Sequence, residues 1–273
     1  MSVRVRQAPR PEENGTFASH ASHEKRPRVL LVASTRADIR ADNAPWSEWA
    51  CDATTDADML AEFAGRLCYQ SWNKPNPATA RNTDYIANIL LQQHYSVLEH
   101  AGFTVAILDV SRSFTHELVR HRHLSFSQLS QRFVDESQAA FVPPPLFRDD
   151  PEATALLEAH HKASLAIYRR LVAIAEAKLA TVPGLDKTAR RKRAREAARC
   201  VLPNMTETQI VVTGNHRAWR EFLEKRATEH ADAEIREVAL QIYHIARSIA
   251  PATYQDFRAE HLPDGTTVLR KLR

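Results

Sequence analysis

Thirteen consecutive residues, Arg120 to Arg132, hold three arginines, two histidines, three serines and two glutamines. A guanidinium keeps its charge at any physiological pH, so each must face a carboxylate, a phosphate or water. Phe114, Leu118 and Val119 before the run, and Phe133 and Val134 after it, are the apolar residues that should anchor it to a core. Arginines fixed beside hydroxyls and amides suit a phosphorylated ligand, whose oxygens take charge-assisted hydrogen bonds in pairs. For an arbitrary basic cluster, a solvated loop is the competing reading.

Four further blocks carry chemistry-bearing residues: His94-Tyr95-Ser96-Val97-Leu98-Glu99-His100, Ala198-Arg199-Cys200-Val201-Leu202-Pro203, Thr213-Gly214-Asn215-His216-Arg217, and Leu223 to Ala231 with Arg226 and His230. Arg120-His121-Arg122, followed after seven residues by Ser130, resembles the signature of the flavin-dependent thymidylate synthases. The other four blocks stand in that family's order, and the resemblance covers residues 29–258. Ser127 and Gln128 stand where many members carry Asn and Glu. The resemblance implies reductive methylation of dUMP to dTMP, with FAD as cofactor, methylenetetrahydrofolate as carbon donor and NADPH as reductant. It also implies a homotetramer whose copies share active sites. Matching positions for FAD are Ser96, Arg120, His121, Arg122, Gln128, Asn215, His216, Arg217 and Glu221. Those for dUMP are Glu117, Leu118, Val119, Arg120, Gln128, Leu129, Ser130, Gln131, Arg132, Arg199 and Arg226. Arg226 is the expected catalytic residue, and His94 is matched to folate.

The residues can be weighed against what C5 methylation of a uracil demands. One route uses a thiolate with a lowered pKa. Of Cys51, Cys68 and Cys200, only Cys200 lies near basic residues, and its Cys-Val-Leu-Pro setting predicts a buried structural thiol. The alternative is a cation that stabilises negative charge on the ring, as an oxyanion hole does. Arg226 fits that part by resemblance; its bland alternative is a surface pair with Glu229 at i,i+3. Arg132, Arg199 and the Ser130 hydroxyl suit phosphate. No base stands at recognisable spacing from Ser130, so it is read as a binding residue rather than a nucleophile. His94 suits either a stacked pterin or the C-terminus of a helix. With six glycines and no Gly-x-Gly-x-x-Gly, a Rossmann cradle is excluded, so a flavin must be held by side chains from several loops. The thirteen histidines show no metal-ligand spacing. The run Arg190-Arg191-Lys192-Arg193-Ala194-Arg195 could meet a nucleic acid, but it lacks interleaved aromatics; a solvated helix face is expected, without nucleic-acid binding.

These residues need elements to position them. Hydrophobic content of 44% and charged content of 26% describe an ordinary globular chain; net charge is +4. Three scattered cysteines fit a reducing cytoplasm, and no apolar run approaches a membrane span. Residues 1–28 lack hydrophobic periodicity and read as a disordered tail without a signal peptide. Strands are predicted over 29–35, 103–110 and 209–213, and helices over 57–69, 83–94, 113–121, 152–180, 187–200, after Asn215, and over 230–250. The long helix should turn Leu156, Leu157, Ala163, Ile167, Leu171 and Ile174 to one face. The fold class is α+β in a single domain, with residues 259–273 as a C-terminal extension.

Overall fold

The computed structural model describes residues 26–40 and 42–272. Most of the segment expected to be a tail, residues 1–25, therefore lies outside the described residues. Strand β1 (Arg28–Ser34) opens the fold, followed by helices α1 (Asp56–Tyr69) and α2 (Asn82–Leu91). Strand β2 (Gly102–Ser111) runs directly into α3 (Arg112–Leu118), and β3 (Ser125–Gln128) follows after a tight loop. A hairpin of α4 (Pro151–Ala180) and α5 (Lys187–Ala198) leads to β4 (Glu207–Asn215), α6 (His216–Arg226) and α7 (Ala233–Ile249). The chain closes on a hairpin of β5 (Phe257–His261) and β6 (Thr267–Lys271). The architecture is α+β.

One antiparallel sheet, ordered β1-β2-β4-β3, organises the molecule. Strand β4 alternates strictly between buried and exposed residues, the period-two pattern of a sheet covered on one face. Phe103, Val105, Ile107, Ile210 and Val212 point to the covered face and meet Trp219, Phe222 and Leu223 of α6 and Ile235, Val238 and Ile242 of α7. A bulge between Ile107 and Val110, with Asp109 at φ 56°, lets both apolar side chains bury where strict alternation would expose one. On the open face the Thr104 and Thr213 hydroxyls meet at 2.9 Å. A Cβ on Gly214 would collide with the Leu124 side chain, so glycine lets the arginine-rich loop settle onto β4.

Several expectations change. Helix α3 stops at Leu118, and the next residues turn through hydrogen bonds from Arg120 N to Glu117 O and from His121 N to Leu118 O. Helix α7 begins at Ala233, where the Asp232 carboxylate accepts from Glu234 N at 2.9 Å. In α4 the expected inward stripe is not a core stripe: Leu156, Ile167 and Ile174 are exposed, while His161, Ser164, Leu165 and Tyr168 are buried. The reason lies in the partner helix. Helix α5 offers only Ala194 and Ala198 as buried residues, so α4 has a narrow seam within this chain. The boundary expected after residue 258 falls inside β5, and β6 buries Val268 and Leu269 while Leu269 N donates to Ala227 O at 2.8 Å.

A buried carboxylate ties α1 to the segment after α7. Asp58 accepts from Ala252 N, Thr253 N and the Thr253 hydroxyl at 2.9, 3.0 and 2.7 Å. Replacing it strands buried donors. Asp58→Ala is expected to destabilise the protein by roughly 3 kcal/mol or more, and Asp58→Asn, which keeps one acceptor oxygen, by less. Equilibrium denaturation of the two variants checks the order.

Candidate functional site

Helix α6 is the element on which the site is built. Asn215 caps it, its Oδ1 accepting from Ala218 N at 2.8 Å. Trp219, Phe222 and Leu223 hold the helix on the sheet, and the buried stripe extends by one further turn from Phe222 to Arg226. Arg226 is thereby half-buried at the helix end. Its Nε donates to His121 Nε2 and its Nη1 to Glu117 Oε2, each at 2.9 Å. The predicted alternative, a pair with Glu229, is not formed: Glu229 accepts from Arg270 of β6. Among the described hydrogen bonds none uses Nη2 of Arg226.

The state of His121 follows from these contacts. Its ring sits edge-on to Phe222 at 5.1 Å, and burial, then the charges of Arg226 and Lys225, push its pKa down to about 4. The imidazole is neutral at pH 7. Because Arg226 Nε can only donate, His121 Nε2 must accept, which assigns the ring proton to Nδ1.

Arg226 stands where two clefts meet. One, about 230 Å³, is lined by Arg120, His121, Arg122, His123 and Leu124 on one side and Ala218, Glu221, Lys225 and Arg226 on the other. Its cations Arg120, Arg122, Lys225 and Arg226 outnumber its one carboxylate, Glu221, which Lys225 engages and holds below the usual carboxylate range. The second cleft brings His116, Glu117, His230 and Asp232 to the other side of Arg120 and Arg226. A third gathers His94, Ser96 and Arg217 with Cys68, Tyr69 and Tyr95; Arg217 pairs there with Glu99. Asn215 lines a shallow groove at the sheet end with Glu99 and Gly102. Lys225, His116, His230 and Asp232 were not predicted as site residues. Lys225 is the one that sequence could have flagged, since it adjoins Arg226 and lies one turn after Glu221.

Other predicted residues stand apart from these clefts. Leu118 is fully buried in the core, because the helical register that exposes Val119 and Arg120 turns it inward. His216 is also enclosed, with Phe103 at 5.5 Å and its Nδ1 3.0 Å from the Tyr254 hydroxyl; burial, then Arg220, pushes its pKa down to about 4. A side-chain contact from either residue to a ligand gives way to a packing role. Gln131 is buried too, and the Gln128 amide nitrogen donates to the hydroxyls of Thr115 and Thr208 at 3.0 and 3.3 Å. Leu129 N donates to Gln209 O, and Ser130 O accepts from Phe133 N and Val134 N. Arg132 pairs with Glu196 at 2.7 Å, and Arg199 is exposed at the end of α5.

The cysteines need one correction. Cys200 is exposed, not buried, because Ala194 and Ala198 take the inward face of α5 and the chain then turns outward. Cys51, Asp52 and Glu62 group three possible ligand atoms within 4.8 Å. Glu62 is already committed to Arg66 at 2.6 Å and Asn82 at 2.9 Å, and burial pushes the Cys51 thiol up to about 12. Cys51 and Glu62 are joined in a hydrogen-bonded network that runs from the buried Glu62 to the exposed Asp52. The basic run on α5 is partly used: Arg195 meets Phe133 O and Asp135, and Lys192 lies 4.8 Å from the exposed Phe133 ring.

The α+β fold thus centres an arginine, a neutral histidine and a carboxylate between cationic clefts. The family model described as thymidylate synthase complementing protein matches residues 51–252. The chain is 53% identical over 245 residues to a flavin-dependent thymidylate synthase of Mycobacterium avium, covering 88% of this chain and 94% of that protein. It is 52% identical over 241 residues to the protein of that name from Mycolicibacterium gilvum, and 51% over 245 residues to that of Mycobacterium tuberculosis, with the same coverage. The chain belongs to the flavin-dependent thymidylate synthase family, and it is an enzyme.

The neutral His121 makes a pH signature. Between its folded value of about 4 and its unfolded value near 6.5, the unfolded chain binds a proton that the folded chain refuses. Stability contributed by the neutral ring is therefore intact above about pH 6.5 and is lost as pH falls toward 4. Relative to wild type, His121→Gln is expected to show a shallower loss through that window, by at most one proton, about 1.4 kcal/mol per pH unit. Urea denaturation from pH 4.5 to 7 measures the difference.

Proposed function

We propose that this enzyme methylates dUMP to dTMP, taking the carbon from methylenetetrahydrofolate and the reducing equivalents from NADPH, with FAD as its bound cofactor. The observation that carries the reading is Arg226, a half-buried guanidinium fixed by Glu117 and neutral His121 with Nη2 outside every described hydrogen bond. Held beside a uracil, it opposes negative charge growing along the N3–O2 edge as C5 becomes nucleophilic. Charge stabilisation from a rigid donor in a partly dry site is worth far more than in water. No protein thiolate is then required. Arg120, Glu117, Val119, Gln128 and Leu129 surround the pyrimidine in this reading, while Arg132, Arg199 and the Ser130 hydroxyl take the phosphate. Gln131 and Leu118 support that wall from behind.

The residues present fit a flavin. Arg120, Arg122 and Lys225 form a cationic cleft suited to a diphosphate, and His121 and Glu221 border it. Ser96, Asn215 and Arg217 extend the set, and His94 beside them suits a folate pterin or closes its own helix end. When bound, FAD supplies the electrons that reduce the transferred carbon to a methyl group. A cleft of about 230 Å³ is smaller than drug-sized sites of roughly 300–1,000 Å³, so a dinucleotide must run beyond it. That supports a homotetramer with shared active sites. Further support comes from the apolar residues left exposed, Leu30, Leu31 and Val32 on β1 and Leu156 and Ile167 on α4. The free cysteines support a cytoplasmic setting, and among the described residues no helix is long and apolar enough to cross a membrane.

The purified protein is expected to show the absorption bands of oxidised flavin, bleached by NADPH and restored by dUMP with methylenetetrahydrofolate. A colourless protein that binds no added FAD contradicts the reading. In that assay Arg226→Ala should slow dUMP-dependent flavin reoxidation by a factor equivalent to roughly 2.7–4 kcal/mol, the cost of a lost oxyanion-hole donor. Arg226→Lys should recover only part of it, because a point charge does not reproduce a planar two-pronged donor. Flavin content of both variants should match wild type; near-normal reoxidation at saturating dUMP would reduce Arg226 to a packing residue.

A further inference from the structure

Tyr95 opens the short 3-10 turn Tyr95–Glu99, whose neighbours His94 and Ser96 face the third cleft. The entry to that turn is its less buried part, with Gln93, His94 and Ser96 exposed and Tyr95 half-buried. Gln93 before it sits at φ 57°, an uncommon region for a residue with a Cβ, and His94 at the cap position forms no side-chain cap. The far end of the turn is anchored by Val97 and Leu98, buried with Ile86 and Ile89, while its entry is tied to the end of α2 by bonds from Gln93 N to Leu90 O and from His94 N to Ile89 O. The Tyr95 end has a further hold from outside the turn.

Residue Lys271, the last of β6, lies behind it. Its ammonium donates to the Tyr95 hydroxyl at 3.0 Å and to Glu224 of α6 at 2.8 Å. The same ammonium lies 5.3 Å from the centre of the Tyr95 ring, and the Arg220 guanidinium lies 5.8 Å from it on another side. Arg220 is itself immobilised by two bonds to Asp256, at 2.7 and 2.6 Å. Lys271 stays in place because its strand is anchored: Leu272 N donates to Asp256 O at 2.7 Å, and Phe257 pairs with Lys271 across the hairpin. Gln93 and Tyr95 also form a thin wall. Behind them is a separate cavity of about 550 Å³, lined by Leu90, Leu91, Gln255, Lys271 and Leu272, so packing backs the Tyr95 end of the turn only in part. The Lys271–Tyr95 bond spans that gap. Lys271 lies beyond residue 252, where the match to the family model ends.

We propose that Lys271 is a positioning residue: through its hydrogen bond to Tyr95 it sets the turn that presents His94 and Ser96 to the cleft. Its effect on turnover rests on the reading of that cleft as part of the flavin and folate site. The chemistry at Arg226 is untouched, so the loss falls on binding rather than on the rate of the bound complex.

The experiment uses the full-length, flavin-loaded enzyme. Lys271→Met and Tyr95→Phe should each weaken FAD binding or raise the KM for methylenetetrahydrofolate by about threefold to tenfold, the factor for one ordinary net hydrogen bond. Both should leave kcat and the KM for dUMP near wild type. Lys271→Arg should restore the constants, and the double variant should be no worse than either single one. Hydrogen exchange at residues 93–99 should quicken in Lys271→Met. Unchanged exchange there overturns the proposal, as does a parallel fall of every constant with Tm. His94→Ala and Ser96→Ala test the cleft separately: if they leave FAD and folate constants intact while exchange still quickens, the ligand reading fails and the positioning role stands.

Discussion

A guanidinium drawn partly out of water has to be matched by acceptors, and the match made for Arg226 is the constraint on which this site depends. Glu117 meets it from the end of α3 and His121 from the loop that follows, so two elements distant in sequence are locked to the end of α6. Both partners must be in the right state. A protonated His121 would present a donor to a donor, and burial together with the neighbouring cations prevents that. The arginine in turn helps to keep its own acceptor neutral. The charge left uncompensated by this arrangement faces the clefts rather than the core.

The scaffold makes that geometry rigid by separating duties across the sheet. Its covered face carries the apolar residues of β2 and β4 against α6 and α7, and this packing fixes the axis of α6. Site residues then come from the rims: the loop seated by Leu124 over Gly214, the exposed side of α6, and the turn after α2. Well-packed helices hold functional side chains more tightly than loops do, which suits the electrostatic role proposed for Arg226. The loops have their own supports, Phe222 under His121 and the C-terminal hairpin under Tyr95.

How much of this could be read from the chain depends on whether a residue's partner is local. Apolar patterning located α2, α6 and α7, where repeating contacts leave a repeating pattern, and the strands β1, β2 and β4; on α4 the stripe that marked the helix lies largely exposed. Strand β3 left none: in Ser125–Gln128 only Phe126 is apolar, and its pairing with β4 exists only in the fold. The β5–β6 hairpin was missed although Pro263-Asp264-Gly265 before Val268 and Leu269 is a turn signal with a mechanism. At the site, motif order identified Arg120, His121, Arg122, Glu221 and Arg226, which the fold does bring together. Side-chain direction was not legible. His216 sits inside a motif and points into the core, Val119, expected to anchor the arginine-rich run, is exposed, and Cys200, followed by apolar letters, points to solvent. Nor could spacing decide that Arg226 prefers Glu117 across the fold to Glu229 one turn away.

In the proposed reaction Glu117 acts by holding Arg226 in the posture that stabilises charge on the substrate. A double-mutant cycle on single-turnover methylation, with Glu117→Gln, Arg226→Lys and the pair combined, tests it most directly. Strong coupling is expected: each single change costs a large factor, and the second change adds little to the first, with an interaction energy of at least about 1 kcal/mol. Costs that simply add would contradict it, because the two residues would then be serving the reaction independently.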